Sequence, residues 1–272
     1  MFLRRQDSRQ EEDFARPQDI MAPLIQQIGR LAVRTFKRDS QHTPVTFNSL
    51  YDQLYSLVNR ITPEELNLDV KLLTDRGPYD ASRDGAPVTY MQLYEDNDVT
   101  ICVFILKRGV RLPLHDHPGM FGILKVIHGV VSVQSYSHFT SESLDSKLQS
   151  LLNAKTLNGV FPATKHPKVK ISTSDPACRL SPDTQNMHEI FSEDGPAAFL
   201  DILSPPYGTD KRLGIERDCH YYQELEPFRV SSAPSNDMTL LISIPSPSDF
   251  WCDQADYEGP VIDSGPGEQD QS

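Results

Sequence analysis

The chain is 272 residues long and carries 26 Lys and Arg against 38 Asp and Glu, a formal charge of −12. That balance argues against a nucleic-acid binder, which would need a basic face, and no apolar run approaches the length of a membrane span. The length allows one large domain with trimmings or two small ones, and a hydrophobic content of 38% leaves room for loops or tails.

The chain begins Met1-Phe-Leu-Arg-Arg, as some targeting peptides do, but Glu11, Glu12 and Asp13 follow at once. Transit peptides are poor in acids, and no secretory hydrophobic segment is present. Residues 1–18 are therefore expected to be a disordered extension of a cytoplasmic protein. From Met21 to Phe36 the residues Leu24, Ile25, Ile28, Leu31, Ala32 and Phe36 recur at helical spacing. Phe47, Leu50, Tyr51, Leu54, Leu57, Val58 and Ile61 do the same. Each helix is apolar on one face only, so this helical part, residues 19–70, must lie against something else. Thr62-Pro63-Glu64-Glu65 reads as the start of a further short helix reaching Leu68, with Thr62 as its cap.

After Pro87 the period becomes strand-like. Val88–Glu95, Val99–Lys107, Phe121–Ile127, Val130–Tyr136, Lys168–Thr173, Ala197–Leu203, Cys219–Leu225 and Met238–Ile244 are short β-rich runs separated by turn residues. So many short strands predict a mainly β sandwich or barrel over residues 87–262. Ser137 to about Lys165 is polar and reads as a long insertion between strands. Asp249-Phe-Trp-Cys carries the only Trp, which is expected to dock on the barrel. Residues 263–272 have nothing to bury and are expected to be disordered. Cys102, Cys178, Cys219 and Cys252 form no C-x-x-C pair, which argues against a thiolate zinc site. Their even number would allow disulfides, but without a signal peptide reduced thiols are expected.

The chemistry concentrates in Gly109-Val-Arg-Leu-Pro-Leu-His115-Asp116-His117-Pro-Gly. Residues two apart on a strand share a face, so His115 and His117 can grip one metal ion. His188 is a third candidate far downstream. Asp116, between the two, points the other way and suits a structural or hydrogen-bonding role. His42, His138 and His166 lie in polar stretches and are expected to be exposed. His128, beside Gly129, reads as a surface residue. His220 faces away from Cys219 and Tyr221 and reads as structural. Cys102 reads as core.

The frame Gly109-x5-His115-x-His117-x4-Gly122-x6-Gly129 resembles the first signature motif of the cupin superfamily, whose fold is a double-stranded β-helix barrel. In most cupins a metal-binding Glu stands where this chain has Gly122. Pro182-Asp-Thr-Gln-Asn-Met-His188 resembles the second motif loosely, and makes His188 the third ligand. Three neutral imidazoles leave three positions of an octahedral ion open, which suits Fe(II) with a substrate and O2 as co-substrate, though spacing alone would also allow zinc, nickel or copper. The missing acidic ligand resembles the thiol dioxygenase branch of the cupins. Within that branch, Val88-Thr-Tyr-Met, Leu114-His-Asp-His-Pro-Gly-Met, Leu124-Lys-Val, Gly195-Pro-Ala-Ala-Phe-Leu-Asp-Ile-Leu, Pro205-Pro-Tyr, Asp218-Cys-His-Tyr-Tyr and Asp249-Phe-Trp-Cys are similar to the 2-aminoethanethiol (cysteamine) dioxygenase family, and the plant cysteine oxidases are relatives.

The resemblance implies a barrel with the amphipathic helices packed outside, and a non-haem iron dioxygenase acting as an oxygen sensor. Its implied substrates are cysteamine, oxidised to hypotaurine, and N-terminal cysteine of proteins or peptides, oxidised to the sulfinic acid. A monomer is implied too. Asp201, an acid in an apolar strand, would hold the substrate ammonium, or else pair with a neighbouring Lys or Arg. Cys219 and Tyr221, two apart on one strand, would form a Cys–Tyr thioether near the iron; otherwise Cys219 is a small buried hydrophobe. Tyr90 and Tyr207 would line the mouth. The rivals are a cupin isomerase or hydrolase using zinc or manganese, and a metal-binding cupin without oxygenase activity that serves as a ligand- or partner-binding module.

Overall fold

The computed structural model describes residues 22–38, 42–139, 159–210, 213–225 and 238–263. The extension expected at 1–18, all but the first residue of the expected tail and the middle of the expected insertion lie outside these residues.

Helix α1 (Leu24–Phe36) buries Ile25, Ile28, Ala32 and Phe36 along one face. Helix α2 (Pro44–Val58) starts three residues before the apolar pattern does, because Thr43 caps it and Pro44 fills the first turn. The Thr43 hydroxyl accepts the Thr46 amide at 3.2 Å. At the far end Asn59 donates to the Tyr55 carbonyl and accepts the Ala177 amide, both at 2.8 Å, so the helix is tied to the barrel where it stops. The helix expected from Thr62 is instead a single turn. The Leu66 and Leu68 amides both return to the Pro63 carbonyl, and Asn67 enters the left-handed region at φ 49, where the turn ends.

Among the described residues fifteen strands follow: β1 (Val88–Glu95), β2 (Thr100–Leu106), β3 (Arg111–Asp116), β4 (Phe121–His128), β5 (Val130–His138), β6 (Val160–Lys165), β7 (Val169–Ser172), β8 (Cys178–Leu180), β9 (Met187–Phe191), β10 (Ala197–Ser204), β11 (Gly208–Asp210), β12 (Ile215–Arg217), β13 (Tyr221–Glu224), β14 (Met238–Ile244) and β15 (Cys252–Gln254). One sheet has the order β15-β1-β2-β10-β4-β8, a second β6-β14-β13-β3-β9-β5-β7, and β11 and β12 form a two-stranded ribbon. In the second sheet β5 pairs with β9 along one edge and divides the other edge between β7 and β6. Because β6 also pairs with β14, that sheet closes on itself. The expected insertion is thus strand at both of its ends, and Cys219 lies just before β13 rather than inside it.

All eight residues of β10 are buried, since both of its faces are covered. Ala198, Leu200 and Ile202 face the layer made with Ile25, Ile28, Leu54 and Val58 of the helices. Ala197 and Phe199 face the barrel interior, with Leu106, Leu124, Val133 and Ile190. The helices therefore pack outside the first sheet, as their one-sided pattern requires. Each large side chain buried there contributes about 1.5–3 kcal/mol.

The C-terminal strap crosses this layer. Strand β15 runs parallel to β1, with Val88 opposite Cys252. Beyond it, Ile262 seats against Gly29 of α1, where a Cβ would lie 2.2 Å from the Ile262 Cγ2. Arg30 pairs with Asp263 at 2.8 Å. Trp251, expected to dock, is 43% exposed, and its neighbour Phe250 packs against the interior cluster instead. All four cysteines are unpaired. No described helix is long and apolar enough to cross a membrane.

Candidate metal centre

Strands β3 and β9 run antiparallel, and His115 stands directly opposite His188. The register shifts between Leu112 and His115. Pro113 lies in that irregular stretch, where a residue with no amide hydrogen is tolerated. The Pro113 carbonyl then accepts the His115 ring Nδ1–H at 2.8 Å. His117 sits one residue beyond β3, and its Nδ1–H donates to the Asn186 carbonyl at 2.8 Å. A ring whose Nδ1 carries the proton presents a lone pair on Nε2, so both contacts fix the tautomer a metal needs.

The three rings converge. Their centroids are 4.7–4.8 Å apart, and one ligand atom from each lies within 4.8 Å of the others. Burial lowers the pKa of all three, that of His117 to about 3 and that of His188 well below the ordinary value, with neighbouring imidazoles adding to the effect at His117 and His188. All three are neutral at physiological pH. The Nε2 atoms of His117 and His188 are buried without a hydrogen-bond partner among the described residues. An unmet buried acceptor costs about 1–3 kcal/mol, and a metal ion at the convergence point would remove that cost. The donor set therefore fits a borderline divalent ion held by neutral nitrogen.

No carboxylate belongs to this group. A Cβ at Gly122 would come within 2.8 Å of the Leu180 Cγ and 3.0 Å of a Leu203 methyl, so the position has no room for a side chain. Asp116 turns away from the histidines. Its carboxylate accepts the His220 amide and the Tyr222 hydroxyl, both at 2.8 Å, with the His220 ring at 3.2 Å. Its main-chain carbonyl accepts the Tyr207 hydroxyl at 2.5 Å. Asp116 thereby joins the histidine strand to the segment carrying Cys219 and Tyr221, and His220 serves as its structural partner.

Tyr207 lies beside His117, with ring centroids 5.7 Å apart. Arg217 donates to the Pro206 carbonyl at 3.2 Å and to Asp210 at 3.1 Å, holding the loop that carries Tyr207. Cys219 neighbours both Tyr207 and Tyr221, and burial pushes its thiol up to about 11. Tyr221 is opposite His115 in the β13–β3 pair. Burial, and after it the Cys219 neighbour, raise Tyr221 to about 12. The structure thus brings Cys219, Tyr207 and Tyr221 together on the histidine side of the barrel.

Asp201 is buried on β10, opposite Cys102 of β2 and Leu124 of β4. Strand alternation puts it on the interior face with Phe199. Burial raises its carboxyl to about 7, with one backbone hydrogen bond opposing the shift. Among the described residues no Lys or Arg forms an ion pair with it. Tyr90 lies tilted against Phe104, at 5.3 Å between centroids, and neighbours Cys102. Tyr90 therefore belongs to the wall around Asp201.

Two histidines expected to be exposed are not. His166 is half-buried with its ring on the Ser137 hydroxyl at 2.7 Å, and His42 is half-buried with its ring on the Arg34 carbonyl at 3.0 Å. His138 is exposed, and His128 is partly so. Asn186 had no role in the sequence reading, although it stands two residues before His188.

The PCO_ADO family model matches residues 57–262. The chain is 35% identical to the 2-aminoethanethiol dioxygenase of Mus musculus over 90% of its own length and 99% of that protein. It is 34% identical to the Homo sapiens 2-aminoethanethiol dioxygenase, with the same coverage of both chains. Plant cysteine oxidase 1 of Arabidopsis thaliana is 29% identical over 66% of this chain and 57% of that one. The barrel, the histidine cluster without a carboxylate and these matches agree, and the chain belongs to the PCO_ADO family of cupin-type thiol dioxygenases.

Proposed function

We propose that this chain is a non-haem Fe(II) enzyme that adds both atoms of O2 to a thiol, with His115, His117 and His188 as the iron ligands. Its substrates are cysteamine and the N-terminal cysteine of peptides or proteins, and its turnover reports oxygen supply. The observation that carries this reading is the all-nitrogen donor set: three buried, neutral imidazoles converge with no acid among them. When bound, Fe(II) supplies open coordination positions for a thiolate and O2, together with the redox chemistry.

The chain's own residues place the substrate. Asp201, ionised, accepts the ammonium that cysteamine and an N-terminal cysteine share, and that charge would draw its carboxyl down from about 7. Tyr207 and Tyr221 present hydroxyls on the histidine side, both kept protonated by burial, so they donate hydrogen bonds rather than carry charge. The apolar interior around Phe199 and Leu124 excludes water from the reacting sulfur. Cys219 lies beside Tyr221, which supports a thioether between the pair. Four unpaired cysteines support a reducing, cytoplasmic setting.

The test is anaerobic iron loading, followed by exposure of cysteamine or a Cys-initiated peptide to air. Mass spectrometry should show a gain of two oxygen atoms on the thiol. A bound metal with no thiol-dependent O2 uptake would favour the non-catalytic cupin instead.

A further inference from the structure

Asn186 is 1% exposed and directs almost all of its hydrogen bonding at one residue. Its Oδ1 accepts the His117 amide at 3.2 Å, and its Nδ2 donates to the His117 carbonyl at 2.7 Å. The second Nδ2 hydrogen reaches the Ser181 carbonyl at 3.0 Å. Its own main-chain carbonyl takes the His117 ring Nδ1–H at 2.8 Å. One amide and two carbonyls surround the carboxamide, so its orientation is fixed by its partners.

The reason lies in the ladder. The β3–β9 pairing ends with Asp116 opposite Met187, and the next pair in that register is His117 with Asn186. The chain cannot continue as strand there. It turns through Pro118 and Gly119, at φ 66, and the Met120 amide closes back on the His117 carbonyl at 3.0 Å. The Asn186 side chain supplies the donor and acceptor that the missing strand would have supplied. Gln185, at φ 52, gives the local backbone bend that precedes it.

We propose that Asn186 is a positioning residue for the metal centre: it holds His117, backbone and ring together, so that Nε2 meets the lone pairs of His115 and His188. The inference rests on the reading of these three histidines as metal ligands. Contacts one shell out from a metal are worth about 10- to 100-fold in affinity. Asn186→Ala removes both side-chain contacts with His117. Asn186→Asp keeps the acceptor but sets a carboxylate oxygen against the His117 and Ser181 carbonyls. A residue that only braced the 181–187 segment would lower thermal stability and leave metal affinity alone.

The experiment titrates the full-length apo chain with Co(II), read by visible absorption against a competing chelator, beside the thermal midpoint of each apo protein. The comparison uses the parent, Asn186→Ala, Asn186→Asp, His117→Ala, and Ser192→Ala as a control. Ser192 is buried and bonds the Lys107 and Val110 carbonyls at the opposite end of the β3–β9 pair. Both Asn186 variants should bind Co(II) about 10- to 100-fold more weakly with altered absorption bands, while Ser192→Ala loses stability and keeps its affinity. Should Asn186→Ala fail to fold, Asn186→Asp decides. Parental affinity in a folded Asn186 variant overturns the proposal. A parent that binds no Co(II), or binds it as well after His117→Ala, overturns the metal centre itself.

Discussion

Asp201 and Cys102 face each other across the β10–β2 ladder inside the barrel, and no described cation is paired with the carboxyl. A carboxyl raised to about 7 by burial is half-protonated near neutral pH. Binding a substrate ammonium requires the ionised form, so kcat/KM for cysteamine should fall as pH drops below about 7. Asp201→Asn should abolish that acidic limb and raise the KM for cysteamine about 10- to 100-fold, the worth of one hydrogen bond to a charged group. An unchanged KM would dismiss the ammonium contact.

The same group makes a stability prediction of definite sign. Its folded pKa lies above the unfolded value of about 3.9. Its contribution is therefore fully present below about pH 4 and lost as pH rises through about 7. The difference between Asp201→Asn and the parent, measured by denaturant unfolding of the apo proteins, should grow in favour of the variant across that window. The scale is on the order of 4 kcal/mol, from about three pKa units at 1.36 kcal/mol each.

Metal should stabilise the fold. Fe(II) or Co(II) at a hundredfold excess over its dissociation constant adds about 2.7 kcal/mol, a rise of roughly 5–10 °C in thermal midpoint for a chain of this size. His115→Ala, His117→Ala and His188→Ala should each lose both the bound metal, counted by elemental analysis, and that rise. A variant that keeps full metal occupancy and turnover takes its residue out of the ligand set.

Asp116→Ala should separate positioning from ligation. The variant leaves the Tyr222 hydroxyl and the His220 amide without their shared acceptor. Metal binding should persist, because Asp116 contributes no ligand atom to the cluster. Turnover should fall about tenfold or more, as Tyr221 and Cys219 lose their register with His115. Loss of metal binding equal to that of His115→Ala would contradict this division of roles.

The strand period showed the barrel but hid the strands that matter most. β3 reads Arg-Leu-Pro-Leu-His-Asp and β9 reads Met-His-Glu-Ile-Phe, and neither alternates cleanly. Histidines turned inward to meet a metal look polar to a pattern that equates inside with apolar. The eight expected runs all contain strand, because both sheets bury at least one face along them. The apolar pattern starts helix α2 late, because its first turn is set by the Thr43 cap and not by apolar residues. Asp116 could be read as pointing away, but its partners His220 and Tyr222 lie more than 100 residues downstream. Asn186 was invisible for the same reason: its role is to replace a strand that ends, which no local spacing encodes.

The absent acid has a packing explanation that can be tested. The Gly122 carbonyl accepts the Tyr51 hydroxyl at 3.1 Å, and a Cβ on Gly122 would approach Leu180 and Leu203 too closely. Gly122→Ala should cost about 1–3 kcal/mol through overpacking. Gly122→Glu should not restore a fourth ligand, and should instead yield a protein with a sharply lower midpoint and no extra metal affinity. A stable Gly122→Glu chain with tighter metal binding would refute this account.

The seat of Ile262 on Gly29 sets an order of assembly. Helix α1 is among the first described segments to be synthesised, yet the residue that completes its packing is near the last. Until the strap arrives, the helix that covers the apolar outer surface of Ile101, Ile123 and Leu200 lacks its Ile262 seat. A chain clipped within residues 252–263 keeps His115, His117 and His188 but loses that seat, so aggregation rather than lost chemistry should be the first symptom of damage there.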